Sequence, residues 1–257
     1  MIVTLLTDYG LGDEFAGVCR GVIARIAPDA QVVDITHGVP RHGIREGALA
    51  LRNALPYFPV GVHMAVVDPQ VGTERRAVAV SCADGRLLVG PDNGLLSLAW
   101  EGAGGVTEAV DVSRSPFRLE PVSATFHGRD LFAPAAAALA CGTPLEVLGQ
   151  PLSSIPERLT YTEPHYEGKS VVGEIVYVDR FGTLVTNLDT ELVPSYAVLE
   201  VEGLEIGPLR RTFGDVPTGG LLAYVGSDGA VEIAVRDGSA ARRLGMGVGG
   251  RIRVRLG

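Results

Sequence analysis

Between residues 2 and 68 the chain switches repeatedly between two hydrophobic periods, and this restricts its fold more than any other feature. IVTLLTD at 2–8 is a nearly unbroken apolar run that ends in an acid. Phe15, Val18, Val22, Ile23 and Ile26 then recur at helical spacing up to Pro28. QVVDIT at 31–36 reads as a strand, 44–58 as a helix closed near Pro59, and VHMAVVD at 62–68 as a buried strand ending at Asp68. Alternation of this kind predicts strands joined by crossover helices, hence a largely parallel sheet. AVAVSC at 77–82 and RLLVG at 86–90 add strands, and DLFAPAAAALACG at 130–142 reads as an alanine-rich helix with Pro134 in its first turn.

The pattern then changes. PERLTYTEPHYEGK, from Pro156 to Lys169, is polar, holds two prolines and shows no sustained period. Beyond it come short β-like runs, VVGEIVYVD, LVTNL, AVLEVEGLEI, GLLAYVG, AVEIAVR and GRIRVRL, with little room for helices. The expected organisation is an α/β N-terminal domain with a mainly parallel sheet over 1–155, a linker over 156–170, and a small all-β, barrel-like C-terminal domain over 171–257.

Charge and motif spacing narrow the function. Across 257 residues, 22 Lys+Arg against 30 Asp+Glu leave a net charge of −8, which repels phosphate backbones and anionic lipid. No nucleic-acid partner and no membrane association are expected. MIVTLLTD carries no basic leader and reaches an acid at Asp8, so a cytoplasmic location is expected. Cys19, Cys82 and Cys141 are far apart and read as buried thiols, and the five histidines show no closely spaced ligand pair, so no metal is expected.

In an open parallel sheet, ligands bind beyond the carboxyl ends of the strands. Asp8, Asp34 and Asp68 stand there, with GPDNG at 90–94 carrying Asp92 and Asn93, and FHGRD at 126–130 carrying His127. Together they predict an acidic pocket, although any one of these acids also suits a turn or helix cap. VVDPQVGTERRAVAV at 66–80 places Asp68 and two arginines on one bend. Neighbouring strand residues face opposite ways, so only one of the two arginines should point inward.

TDYG at 7–10, PDAQVVDITHGV at 28–39, VVDPQVGTERR at 66–76, GPDNGLLS at 90–97, TFHGRD at 125–130, YVDRFGTLVTNL at 177–188 and GAVEIAVRDGSAA at 229–241 stand in one order. In that order they resemble the S-adenosylmethionine hydroxide adenosyltransferases, relatives of the fluorinase and chlorinase, over nearly the full length. The resemblance implies hydrolysis of S-adenosylmethionine to adenosine and methionine, with Asp68, Arg75 and His127 as the catalytic triad at the nucleophile. It gives the inward place to Arg75, so Arg76 reads as the solvated arginine. It implies Asp8 on the ribose hydroxyls, with Asp13 also among the substrate-binding residues. Asp179 and Ser227 fall around the methionine end, Phe213 on the adenine face, and Arg236 and Asp237 near the adenine edge. Phe213 reads nearly as well as barrel core. The resemblance further implies a homotrimer with sites shared between subunits, and no cofactor.

The departing sulfur is a cationic sulfonium that leaves as a neutral thioether, so the chemistry needs no acid on the leaving group. Arg75 cannot accept a proton but can polarise a water, and His127 suits proton transfer near neutral pH; the final proton acceptor is left open. The chain departs from the family pattern at Gln70, where glycine is usual, and at Thr183 and Arg236, where asparagine is usual. A halogenase is the nearest rival, but those relatives carry tyrosine at the position of Asp68, and the fluorinase carries serine at that of Gly128. A nucleoside sensor without useful turnover and a metal-dependent phosphohydrolase are the rivals from other classes.

Overall fold

A computed structural model describes residues 1–160, 162–201 and 203–256. Contacts divide the chain after Thr160 into two compact units. The first holds β1 (Ile2–Thr7), α1 (Phe15–Ile26), β2 (Gln31–Thr36), α2 (Ile44–Ala54), β3 (Val62–Val66), β4 (Ala77–Cys82), β5 (Leu87–Pro91), α3 (Ser97–Gly102), β6 (Val106–Asp111), α4 (Ala133–Ala140), α5 (Leu145–Leu148) and β7 (Gln150–Pro151). Its sheet runs β2-β1-β3-β5-β4-β6-β7.

The expected mainly parallel sheet is corrected to a mixed one. The strands β2, β1, β3 and β5 are mutually parallel, whereas β4 is antiparallel to β5 and β6, and β6 to β7. The cause is connection length. Only residues 83–86, with Gly85 at φ +89°, join β4 to β5, too few for a crossover helix. Both faces are covered. Leu5 lies in the cluster beneath α1 and α4, while its neighbour Leu6 lies in the cluster with Leu51 of α2 and Trp100 of α3. Strand alternation sends successive side chains to opposite cores, which is why β1 is apolar throughout. Every residue of α4 but the last is buried, since its run of alanines lets it lie close against the sheet. A wider π-type turn, Gly128–Phe132, leads directly into α4.

In the second unit, β8 (His165–Glu167), β9 (Ser170–Val178), β10 (Leu184–Asp189), β11 (Val198–Val201), β12 (Leu204–Gly207), β13 (Leu209–Arg210), β14 (Leu221–Val225), β15 (Ala230–Val235) and β16 (Arg251–Arg255) form a nearly closed, barrel-like sheet. Its order is β12-β11-β16-β9-β10-β15-β14-β13, with β8 on β9 inside the stretch read as linker. Ile175, Leu184, Leu199, Ile233 and Val254 fill the interior. One helix, α6 (Ala240–Leu244), goes beyond the strand-only expectation: the Ser239 side chain accepts from Arg242 N–H at 3.2 Å and Gly245 ends the helix left-handed. Among the described residues no helix is long and apolar enough to cross a membrane. Cys19 and Cys82 are buried, but Cys141, expected buried, is exposed just past the end of α4.

Candidate active site

Asp68 lies two residues beyond β3, where the chain turns through Val71 N–H to Asp68 O at 3.3 Å and Thr73 N–H to Gln70 O at 3.1 Å. Gly72, at φ +81°, lets this loop press on the segment before His127: a Cβ there would stand 2.4 Å from the Ala124 carbonyl oxygen. The loop returns at Arg75. Its Nε donates to Asp68 Oδ1 at 2.9 Å and its Nη2 to Asp68 Oδ2, a bidentate pair whose side chains are 4% and 6% exposed. Arg75 Nη2 also donates to His127 Nδ1 at 2.9 Å, Nη1 to the Arg76 carbonyl at 3.1 Å, and the guanidinium lies 5.2 Å over the Phe132 ring. Asp68, Arg75 and His127 are therefore brought together.

These contacts fix the histidine's protonation. A guanidinium only donates, so Nδ1 must be the acceptor, and a neutral ring then carries its proton on Nε2. Burial, and then the Arg75 charge, hold His127 below the ordinary histidine range, which keeps that neutral form. A cleft of about 490 Å³ opens onto Arg75 and His127 between Thr73, Ser113 and Arg114. Another, of about 530 Å³, reaches Arg75 from the side of Gln70 and Asn93.

The remaining acids do not form the expected open acidic pocket. Asp34 pairs with Arg20 and with His37 Nε2 at 3.1 Å, and His37 Nδ1 meets Thr7 Oγ1 at 2.8 Å. Asp92, its side chain 2% exposed, takes Arg76 Nε at 2.7 Å, so Arg76 is an ion-pair partner and not the solvated residue expected. Asp34 lies inside β2 and not beyond its end, and its arginine comes from the middle of α1, a partnership the sequence does not reveal. Asp8 Oδ2 accepts His42 N–H at 3.0 Å. Asp13 is exposed in the loop before α1. Among the described residues no three His, Cys, Asp or Glu side chains are arranged to hold a metal ion.

In the second unit, Asp179 Oδ1 accepts Phe181 N–H at 2.9 Å and Thr183 N–H at 2.8 Å, ordering the RFG turn, and Thr183 is buried. Phe213 is 41% exposed and its ring centroid lies 4.9 Å from that of Tyr224, which removes the barrel-core reading. Tyr224 and Glu232 face one another across β14 and β15, and the phenol donates to Glu232 Oε2. Burial raises both pKa values, with Asp179 adding to each. Neither residue was singled out from sequence; alternating outward positions on paired strands were the available signal. Ser227 is exposed in the β14–β15 turn. Arg236 Nη1 reaches Val216 O at 2.9 Å, and Asp237, at φ +57°, accepts Thr218 Oγ1 at 3.0 Å.

Residues 3–149 match the SAM hydroxide adenosyltransferase N-terminal domain, and residues 173–253 match the C-terminal domain of the same family. The chain belongs to the SAM hydroxide adenosyltransferase family. Within it, the chain is 45% identical to the (R)-S-adenosyl-L-methionine hydrolase of Salinispora tropica, covering 99% of this chain and 98% of that one. It is 29% identical to the fluorinase of Actinopolyspora mzabensis, over 98% of this chain and 96% of that one. Its fold matches the crystal structure of an uncharacterized conserved protein from Thermotoga maritima with a TM-score of 0.90 at 37% identity, covering 99% of this chain and 100% of that one.

Proposed function

We propose that this protein hydrolyses S-adenosylmethionine to adenosine and L-methionine by in-line attack of water on ribose C5′. The observation that carries this reading is the buried Asp68–Arg75–His127 set, in a chain nearly half identical to a protein named as that hydrolase. That relative's name specifies the R form of the substrate, and the same form is proposed here.

The sulfonium is its own activated leaving group, so the protein's task is the nucleophile. Arg75 supplies a fixed positive charge beside the water and favours hydroxide character as the proton leaves. His127, with Nδ1 occupied by Arg75, presents Nε2–H as a donor that orients the water. Within the triad that leaves Asp68 as the acceptor, since each of its oxygens keeps a lone pair beyond the one Arg75 takes. Asp8 is proposed to hold the ribose hydroxyls, with Asp13 nearby in sequence. Asp179, Thr183 and Ser227 are proposed for the methionine end, and Phe213, Arg236 and Asp237 for adenine. A homotrimer, with the first unit of one subunit and the second unit of its neighbour completing each site, is part of this proposal. No step calls on a metal or cofactor.

The test is purified protein with S-adenosylmethionine, with and without chelator, in water enriched in heavy oxygen. Adenosine and methionine should form in equal amounts, the adenosine carrying one label and the chelator changing nothing. Unlabelled adenosine, turnover that chelator abolishes and one divalent ion restores, or a halogenated nucleoside as the main product would each overturn the proposal.

A further inference from the structure

The hydroxyl of Tyr9 has no role in the mechanism proposed here, yet it lies against Gly128, the residue next to His127. Tyr9 lies two residues past the end of β1, and its backbone N–H donates to Thr7 Oγ1 at 3.1 Å. Its ring is held against Phe15 and Phe126, with centroids at 6.0 and 5.9 Å, and those two rings are 5.2 Å apart. This packing delivers the hydroxyl onto Gly128, the residue after His127. A Cβ at Gly128 would stand 2.2 Å from Tyr9 Oη and 3.2 and 3.3 Å from Cζ and Cε2.

Gly128 lies in the helical run that leads into α4 and has no positive φ, so its backbone does not call for glycine. The phenol oxygen does. Among the described residues, no group hydrogen-bonds that oxygen, although Tyr9 is only half-exposed. A hydroxyl placed so is left to take its partner from water or from a bound molecule. Burial holds the phenol well above its ordinary pKa, with Cys19, Asp8 and Asp68 adding and Arg75 opposing, so it remains a neutral O–H.

We infer that the Tyr9 hydroxyl is a fourth polar group of the nucleophile pocket, standing where a side chain at position 128 would stand and hydrogen-bonding the attacking water. This rests on the hydrolase reading. The position admits one hydroxyl, from Tyr9 or from residue 128, so the two positions are coupled.

Three variants test it. Tyr9→Phe keeps the aromatic cluster and should lower kcat about five- to tenfold, the kinetic equivalent of one neutral hydrogen bond, with KM and melting temperature little changed. Gly128→Ser alone should lower both kcat and melting temperature, because its Cβ meets the phenol oxygen. In Tyr9→Phe/Gly128→Ser that oxygen is gone, the ring yields by a few tenths of an ångström, and the serine hydroxyl stands near the vacated place. Its kcat should exceed that of either single variant, and its melting temperature that of Gly128→Ser. Wild-type kcat in Tyr9→Phe, or a double variant no faster than Tyr9→Phe, would overturn the inference. Wild-type protein that makes no adenosine would overturn the hydrolase reading, and this inference with it, while the melting temperatures would still report the packing of Tyr9 on Gly128.

Discussion

Arg75 and Arg76 are adjacent, and each ends on a different aspartate. Arg75 lies 4% exposed between Asp68 and His127, and its removal would leave a buried carboxylate without its partner as well as a pocket without its charge. Arg75→Ala and His127→Ala should each lower kcat by about a hundredfold or more, the scale for an electrostatic or proton-handling group, with much smaller changes in S-adenosylmethionine affinity. Calorimetric binding beside single-turnover rates separates these effects, and equal loss of both would recast the residue as a pocket wall. The pH dependence has a definite sign. His127 accepts from Arg75 only while neutral, and burial together with the Arg75 charge lowers its pKa. Activity should therefore be constant through neutral pH and fall only as pH drops through a midpoint below the ordinary histidine value of about 6.5. An acid limb centred above that value would show that another group controls turnover.

At the scale of elements, Arg76 and Asp92 form a clamp. Arg76 precedes β4 and Asp92 follows β5, and Asp92 N–H donates to Arg76 O at 3.0 Å. Asp92 Oδ1 also takes Glu157 N–H at 2.7 Å, and Ser97 Oγ takes Leu159 N–H at 3.0 Å, stitching residues 157–159 onto the rest of the first unit. Asp92→Ala should cost about 1–3 kcal/mol in denaturant unfolding, since it removes a buried carboxylate that accepts Glu157 N–H and pairs with Arg76. It should slow turnover far less than Arg75→Ala; the reverse ranking would move Asp92 into the chemistry. These ties also show where the sequence was legible. Helix α1 and strands β1, β2 and β4 follow from hydrophobic period because burial of one face or both writes itself into spacing. The antiparallel edge β4–β6, α3 and the short α6 do not, because turn length, capping and partner choice set them, and these leave only single-residue marks such as Gly85 or Ser239. In the same way Asp68 and two arginines could be read on one bend, with the choice of Arg75 resting on the family resemblance, whereas Tyr9 over Gly128 depends on a close approach between residues far apart in the chain.

For the whole molecule, the proposed site residues divide between the two units: Asp8 and the triad precede Thr160, whereas Asp179, Phe213 and Ser227 follow it. If each site joins the first unit of one subunit to the second unit of a neighbour, two differently damaged chains should complement one another. A His127→Ala chain lacks part of the nucleophile set, and a chain carrying Phe213→Ala and Asp179→Ala lacks binding groups, so each should be inactive as a homo-oligomer. Mixed trimers contain interfaces at which an intact first unit meets an intact second unit, and these should regain a fraction of wild-type turnover that tracks the mixing ratio. The measurement needs chains co-refolded or exchanged, with assembly confirmed by mass. A fully active monomer, or verified mixed trimers with no recovered activity, would show that each chain builds its site alone.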